Sequence, residues 1–218
     1  MRREKVSDMD GFELGTPALV CRWRLSKRHL PLQNRHMRAL LARTVNGSRV
    51  SKELVAWAKQ HIEWTLEQGT AENPNGVLML IVDERGRAAM TCGPYVPLLD
   101  ETASGLARRA ERALEEAKST SVAPEALWVA SDDLLLWDLG DDGVQSGANS
   151  LVQQLAQTLG IPMRRYPGLA EAVLAQTITY SEVFLVSDEH GVVPASNAFG
   201  PHGQRMAQGY QRLLSETR

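Results

Sequence analysis

The first rhythm in the chain has a period of two. In ALVCRWRL, Ala18 to Leu25, apolar and polar positions alternate as in a half-buried strand. The spacing then turns helical in LQNRHMRALLART, where Met37, Leu40 and Leu41 supply the apolar positions. Ser51 has the residue type and place of an N-cap for a second helix. In that helix Leu54, Val55, Ala58, Ile62 and Leu66 make one apolar stripe, and Gly69 lies just beyond its end. NPNG punctuates a turn. It leads into VLMLIVDERGRAAMTCGPYV, two apolar runs around a polar DERGR, which reads as a hairpin. Residues 1–100 are therefore expected to form a small α+β unit.

LLDETASG reads as a crossing into a second, larger α/β unit over residues 101–218. A charged amphipathic helix is expected from Leu106 to Lys118, followed by short strands in EALWVAS and LLLWDL with Asp132 and Asp133 at their turn. GDDGVQSGAN is a loop before the helix SLVQQLAQTLG, whose Leu151, Val152, Leu155, Ala156 and Leu159 point inward and whose stop is Gly160. IPMRRYP is extended, GLAEAVLAQ helical, and SEVFLVSDEHGVVP strand, turn, strand. Gly203 to Ser215 is a final helix. No repeat or low-complexity tract occurs. Strands and helices alternate without a strict parallel pattern, so the fold class is α+β, or mixed α/β.

Composition narrows the function classes. The chain has 218 residues, 43% hydrophobic and 23% charged, which is ordinary for a globular protein. A formal net charge of −2 gives no basic face for nucleic acid. No apolar run approaches the ~18 residues of a membrane span. The basic start MRREK has no apolar segment behind it and reads as a frayed terminus rather than a signal peptide. Cys21 and Cys92 are too few for a disulfide framework, so a reducing cytoplasmic location is expected, with a single disulfide left open.

Candidate chemistry is sparse. None of His29, His36, His61, His190 and His202 pairs with another ligand type at zinc spacing, so no metal is expected. There is no nucleophile elbow and no phosphate-cradling Walker loop. Asp132 with Asp133, and Asp141 with Asp142, are acidic pairs in turns, where Asp bonds to nearby backbone; a catalytic dyad is the other reading. The loop before the helix at Ser146–Asn149 is the more informative feature. The first amides of a helix lack internal partners and can hold a phosphate, and Gly147 would permit close approach. Against this, most helix starts bind nothing, and Asp141 and Asp142 repel anions.

The order EALWVAS, loop, LVQQLAQTLGIP, GLAEAVLAQ, EVFLVSDEHGVVP resembles the class IV aminotransferase family. That family includes branched-chain aminotransferases and aminodeoxychorismate lyases, which use pyridoxal phosphate (PLP). EVFL…GVVP and LGIP carry the resemblance most specifically, and LPLQNRHMRALLA is similar to the H-x-x-RL helix of the family's small domain. The likeness runs from about Phe12 to Pro194, most closely from Glu101, and the lyase branch is the nearer. It implies two α+β domains of the D-amino acid aminotransferase-like fold, here shortened, with cofactor between them, usually in a homodimer. Five tryptophans fit such an interface as well as they fit a core.

The same resemblance implies a missing activity. The family's Schiff-base lysine stands before the charged helix, with an arginine four residues later. Counting back from EALWV, the arginine falls on Arg108 and the lysine position on Ser104. A serine forms no imine, and the imine both holds the aldehyde and moves protons. Lys118 lies about three turns away, where it complements the helix dipole. The family's E-G-x-x-x-N stretch, which pairs the pyridine nitrogen, is replaced by LLLWDLGDDG. A helix-start threonine aligns with Ala148, and a phosphate-binding threonine aligns with Asp188.

The expectation is a binding or interaction protein on this scaffold that has lost PLP catalysis and carries no cofactor. The alternative is an active PLP-dependent lyase or aminotransferase acting on a small amino compound. A surviving cleft would be floored by Ser104, Arg108, Ser146, Gly147, Ala148 and Asn149 and would take a small carboxylate or other anion. Alternatively Arg108 faces solvent beside Arg109 and Arg112. No nucleic acid or membrane partner is expected, and a homodimer is.

Overall fold

The computed structural model describes residues 13–69, 72–140 and 143–216. The start MRREK, Phe12 and the pair Asp141 and Asp142 lie outside them. The first unit is a three-stranded antiparallel sheet in the order β1-β4-β5, built from β1 (Pro17–Arg24), β4 (Val77–Asp83) and β5 (Ala88–Gly93). Helices α1 (Gln33–Leu41) and α2 (Lys52–Gly69) lie against it, and a small hairpin, β2 (Thr44–Val45) with β3 (Ser48–Arg49), joins the two helices. Leu19, Trp23, Leu78 and Leu80 from the sheet meet Met37, Leu40, Ala58 and Ile62 from the helices in one core. Ser51 Oγ accepts from the Leu54 amide at 3.1 Å, the bond of an N-cap.

Two side chains expected inside are outside. Leu41 is 40% exposed because His36, not Leu41, completes the buried face of α1 with Met37 and Leu40. Leu159 is 44% exposed because α4 (Gly147–Thr158) ends one residue earlier, and Leu159 is its C-cap before Gly160 at φ 67°.

The second unit holds a five-stranded sheet in the order β10-β9-β6-β7-β8. Its strands are β6 (Ala126–Ser131), β7 (Leu134–Asp138), β8 (Met163–Arg165), β9 (Glu182–Ser187) and β10 (Gly191–Pro194), antiparallel except for the β7–β8 pair. The central strands β6 and β9 are buried on both faces. Ala126, Trp128, Phe184 and Val186 pack under α4 and α6 (Pro201–Glu216). Leu127, Val129, Val183 and Leu185 pack under α3 (Ala103–Thr120) and α5 (Leu169–Leu174). That two-sided burial explains why EALWVA and EVFLV read as nearly continuous apolar runs rather than alternating ones.

The two units are tied together by polar contacts. Arg22 Nη2 pairs with Glu116 at 2.6 Å, the Arg24 amide donates to the Asp188 carbonyl at 2.9 Å, and Ser26 Oγ donates to the Leu214 carbonyl at 2.8 Å. Among the described residues no helix is long and apolar enough to cross a membrane.

Candidate functional site

At the start of α4 the second unit packs against α1 of the first. Ser146 is the N-cap of α4, and its Oγ accepts from the Asn149 amide at 3.1 Å. The next two free amides do not face a cleft. Ala148 N–H donates to Asp188 Oδ1 at 2.7 Å and Gly147 N–H donates to Oδ2 at 3.3 Å. The His36 ring of α1 stands on the other side of the carboxylate, Nδ1 to Oδ2 3.4 Å, too long for a good hydrogen bond. Asp188 is 8% exposed and His36 3%.

Burial alone would push the Asp188 carboxyl up. The His36 ring and the Ala148 and Gly147 amides outweigh burial and hold it below the usual carboxylate range. Gly147 is required here, because a Cβ at this position would come within 2.6 Å of His36 Nδ1.

Beside this carboxylate lies a cavity of about 20 Å³, lined among others by Cys21, Trp23, His36, Arg43 and Asp188. It has room for one water. Burial pushes the Cys21 thiol up to about 12, partly offset by Arg43, so the thiol is neutral and unreactive.

A second polar group lies next to it. Arg109 forks onto both oxygens of Glu125, at 2.9 and 2.7 Å. His190 Nε2 is 3.9 Å from Glu125, and Arg24 lies over the Tyr95 ring, 3.3 Å from its centroid. Burial raises the pKa of Glu189 and lowers that of His190. Glu125, Glu189 and His190 bring ligand atoms within 4.8 Å of one another. Arg109 already takes both oxygens of Glu125, so the group is held as an ion-pair network. Sequence spacing gave no sign of it, since Glu125 just precedes β6 and His190 lies in the turn between β9 and β10, which the β6–β9 pairing brings together.

Ser104 and Arg108 are elsewhere. Ser104 sits in the first turn of α3, its Oγ 3.3 Å from Thr102 Oγ1, and Arg108 Nη2 pairs with Asp100 at 2.9 Å in a half-exposed position. The start of α3 is bound to the turn after β10, through Ala103 N–H to Asn197 Oδ1 and Ser196 N–H to the Glu101 carbonyl. Asp188 lies at the other end of that strand. Ser146, Gly147, Ala148 and Asn149 are thus brought together with Asp188 and His36, while Ser104 and Arg108 line neither this cavity nor its rim. Asn149 turns inward, accepting from Trp128 Nε1 at 2.9 Å.

No protein-family model matches the sequence, and no curated protein does. Solved structures do match the fold. A 4-amino-4-deoxychorismate lyase from Pseudomonas aeruginosa superposes with a TM-score of 0.56 at 16% identity, over 89% of this chain and 90% of that one. A hypothetical aminotransferase from Mycobacterium tuberculosis in its PLP-bound form gives 0.63 at 12% identity, over 98% and 97%. A fold IV-transaminase from Curtobacterium pusillum gives 0.58 at 11% identity, over 96% and 90%. The chain therefore has the fold of class IV aminotransferases and aminodeoxychorismate lyases.

The residues at the start of α4 already hold an anion, the Asp188 carboxylate. Through the resemblance, Ala148 and Asp188 stand at the family's phosphate contacts, and here the Gly147 and Ala148 amides are already bonded to the buried Asp188 carboxylate. A phosphate dianion placed there would meet a like charge in a dry setting, where repulsion is strong. Among the described residues no lysine lines the adjoining cavity, whose volume of about 20 Å³ is that of a single water.

Proposed function

We propose that this chain is a class IV aminotransferase and aminodeoxychorismate lyase-like protein that performs no PLP chemistry and acts by binding, as a ligand-binding or interaction protein and as a homodimer. One observation carries the reading: the Asp188 carboxylate occupies the α4 amides with both oxygens. An anion from within the chain replaces the anion that a cofactor would bring. Ser104 supports the same reading, because its hydroxyl cannot replace an amine in imine formation.

The test compares retention of PLP with retention of pyridoxal, which lacks the phosphate, by equilibrium dialysis. Lysine amines react with both aldehydes, so only a phosphate seat separates them. The reading expects equal, weak retention. Retention of PLP at least about tenfold above pyridoxal, the worth of roughly one charged hydrogen bond, would overturn it.

A further inference from the structure

The chain contains two Asn-Gly pairs, Asn46-Gly47 and Asn75-Gly76, and the fold holds them differently. Asn46 and Gly47 form the tip of the β2–β3 hairpin, both at positive φ and both exposed. The strands that carry them are two residues each. Asn46 Nδ2 donates to the Glu84 carbonyl at 2.5 Å, and among the described residues no hydrogen bond engages the Gly47 amide. A Cβ added at Gly47 would meet nothing within 4 Å, so the surroundings of this residue are open.

Asn75 and Gly76 repeat the dipeptide in a fixed setting. Asn75 Oδ1 accepts from the Lys27 amide at 2.9 Å, and Gly76 N–H donates to the Asn73 carbonyl at 3.0 Å. The Gly76 carbonyl accepts from the Leu25 amide at 2.9 Å and the Pro74 carbonyl from the Arg28 amide at 2.7 Å. A Cβ at Gly76 would clash with the Gly93 carbonyl. The Gly76 nitrogen is therefore both bonded and walled in.

An asparagine before a glycine can lose its side-chain amide without a catalyst, and asparagine is among the thermolabile residues. The glycine backbone nitrogen gives up its proton and attacks the asparagine Cγ. The new N–Cγ bond closes a five-membered imide, the Cγ–Nδ2 bond breaks, and ammonia leaves with the proton. Solvent water then opens the imide at one carbonyl or the other, leaving aspartate or isoaspartate. Glycine favours the step because it has no Cβ to crowd the attacking nitrogen. The step also needs that nitrogen free and the side chain able to swing over it, so each hydrogen bond that must first break slows it.

We propose that Asn46 is a self-modification site, converted through Gly47 to aspartate or isoaspartate, and that the fold protects Asn75. Four hydrogen bonds pin the Asn75 segment, while the Asn46 side chain is held by its one bond to Glu84. The product carboxylate has no proton to donate to the Glu84 carbonyl, so conversion releases the hairpin from the turn after β4. Isoaspartate also adds one backbone atom to a two-residue turn. The inference is independent of the binding reading above.

The test is peptide mapping of the full chain incubated at mildly alkaline pH, native and in guanidinium chloride. Aspartyl and isoaspartyl peptides are resolved by chromatography and electron-transfer fragmentation. The denatured chain frees both pairs and gives each site its own reference rate. The ratio of native to denatured rate should be higher at residue 46 than at residue 75 by about tenfold or more, the worth of one or two extra hydrogen bonds. Ammonia should appear in step with conversion, and Asn46→Gln should remove the native signal, because its longer side chain would have to close a six-membered ring.

The proposal fails if residue 46 of the native chain stays unconverted while the denatured chain reacts. It fails equally if its native-to-denatured ratio exceeds that at residue 75 by less than about tenfold. Ammonia release at the wild-type rate from Asn46→Gln would place the chemistry elsewhere and overturn it too. If Asn46→Gln does not fold, the comparison of the two sites in wild type decides.

Discussion

Removing the Asp188 carboxylate leaves two buried amides without their acceptor and empties the place 3.4 Å from the His36 ring. Asp188→Ala should therefore cost about 3–5 kcal/mol, as for a broken buried ion pair, measured by chemical denaturation. Asp188→Asn keeps the shape but accepts through one oxygen only, and should lose about 1–3 kcal/mol. The pH dependence follows from the depressed carboxyl. A carboxylate whose folded pKa is below the unfolded value of about 3.9 contributes its full stability above that value and loses it as pH falls through the folded pKa. The gap between wild type and Asp188→Asn should accordingly be constant near neutrality and shrink below about pH 4; a gap that widens in acid would contradict the assignment. Asp188 was legible in the sequence only as a charge hostile to phosphate. That the carboxylate would turn onto Gly147 and Ala148 depends on β9 delivering it to the α4 start, which no local pattern encodes. Arg43 carried no signal at all, since only tertiary burial distinguishes it from the exposed arginines around it.

The helices and strands were the most legible level, because period and capping are local. Ser146 and Thr102 cap α4 and α3 through their hydroxyls, and Ser146→Ala should cost about 1 kcal/mol in thermal or urea unfolding. Gly147 separates two opposing effects. Alanine there gains about 1 kcal/mol of helix propensity, but its Cβ would sit 2.6 Å from His36 Nδ1. The clash should win, with a net loss of about 1–3 kcal/mol; a stabilised Gly147→Ala would show that α1 and α4 are not in close contact. Where the sequence reading ran long, a local cue had been outweighed. The helix expected through Thr44 stops at Leu41, and Asn46 and Gly47, both at positive φ, turn the β2–β3 hairpin. Asn-Gly is a strong hairpin signal, but here the strands it joins are two residues each, too short to show alternation.

At the scale of the molecule, the fold was legible through the order of elements in the second unit, although identity to the solved structures is only 11–16%. The bonding of the α3 start to the turn after β10 was not. The proposed homodimer has a changed basis as well. Trp23 and Trp128 are buried while Trp64 is 50% exposed, so the tryptophan count by itself does not decide for an interface. Val96, Leu99 and Phe199 are exposed, Leu99 fully, beside the start of α3. Light scattering at micromolar concentration should give the dimer mass, and Leu99→Asp should return the monomer; a monomeric wild type would end that part of the proposal. The central claim, that an internal carboxylate has displaced PLP chemistry, is tested most directly by borohydride reduction of the purified chain after incubation with PLP, followed by intact-mass and absorbance measurement. The account predicts no bleachable imine band and no site-specific phosphopyridoxyl mass increase. A yellow protein that borohydride bleaches, with one phosphopyridoxyl group fixed stoichiometrically on a single lysine, would contradict it.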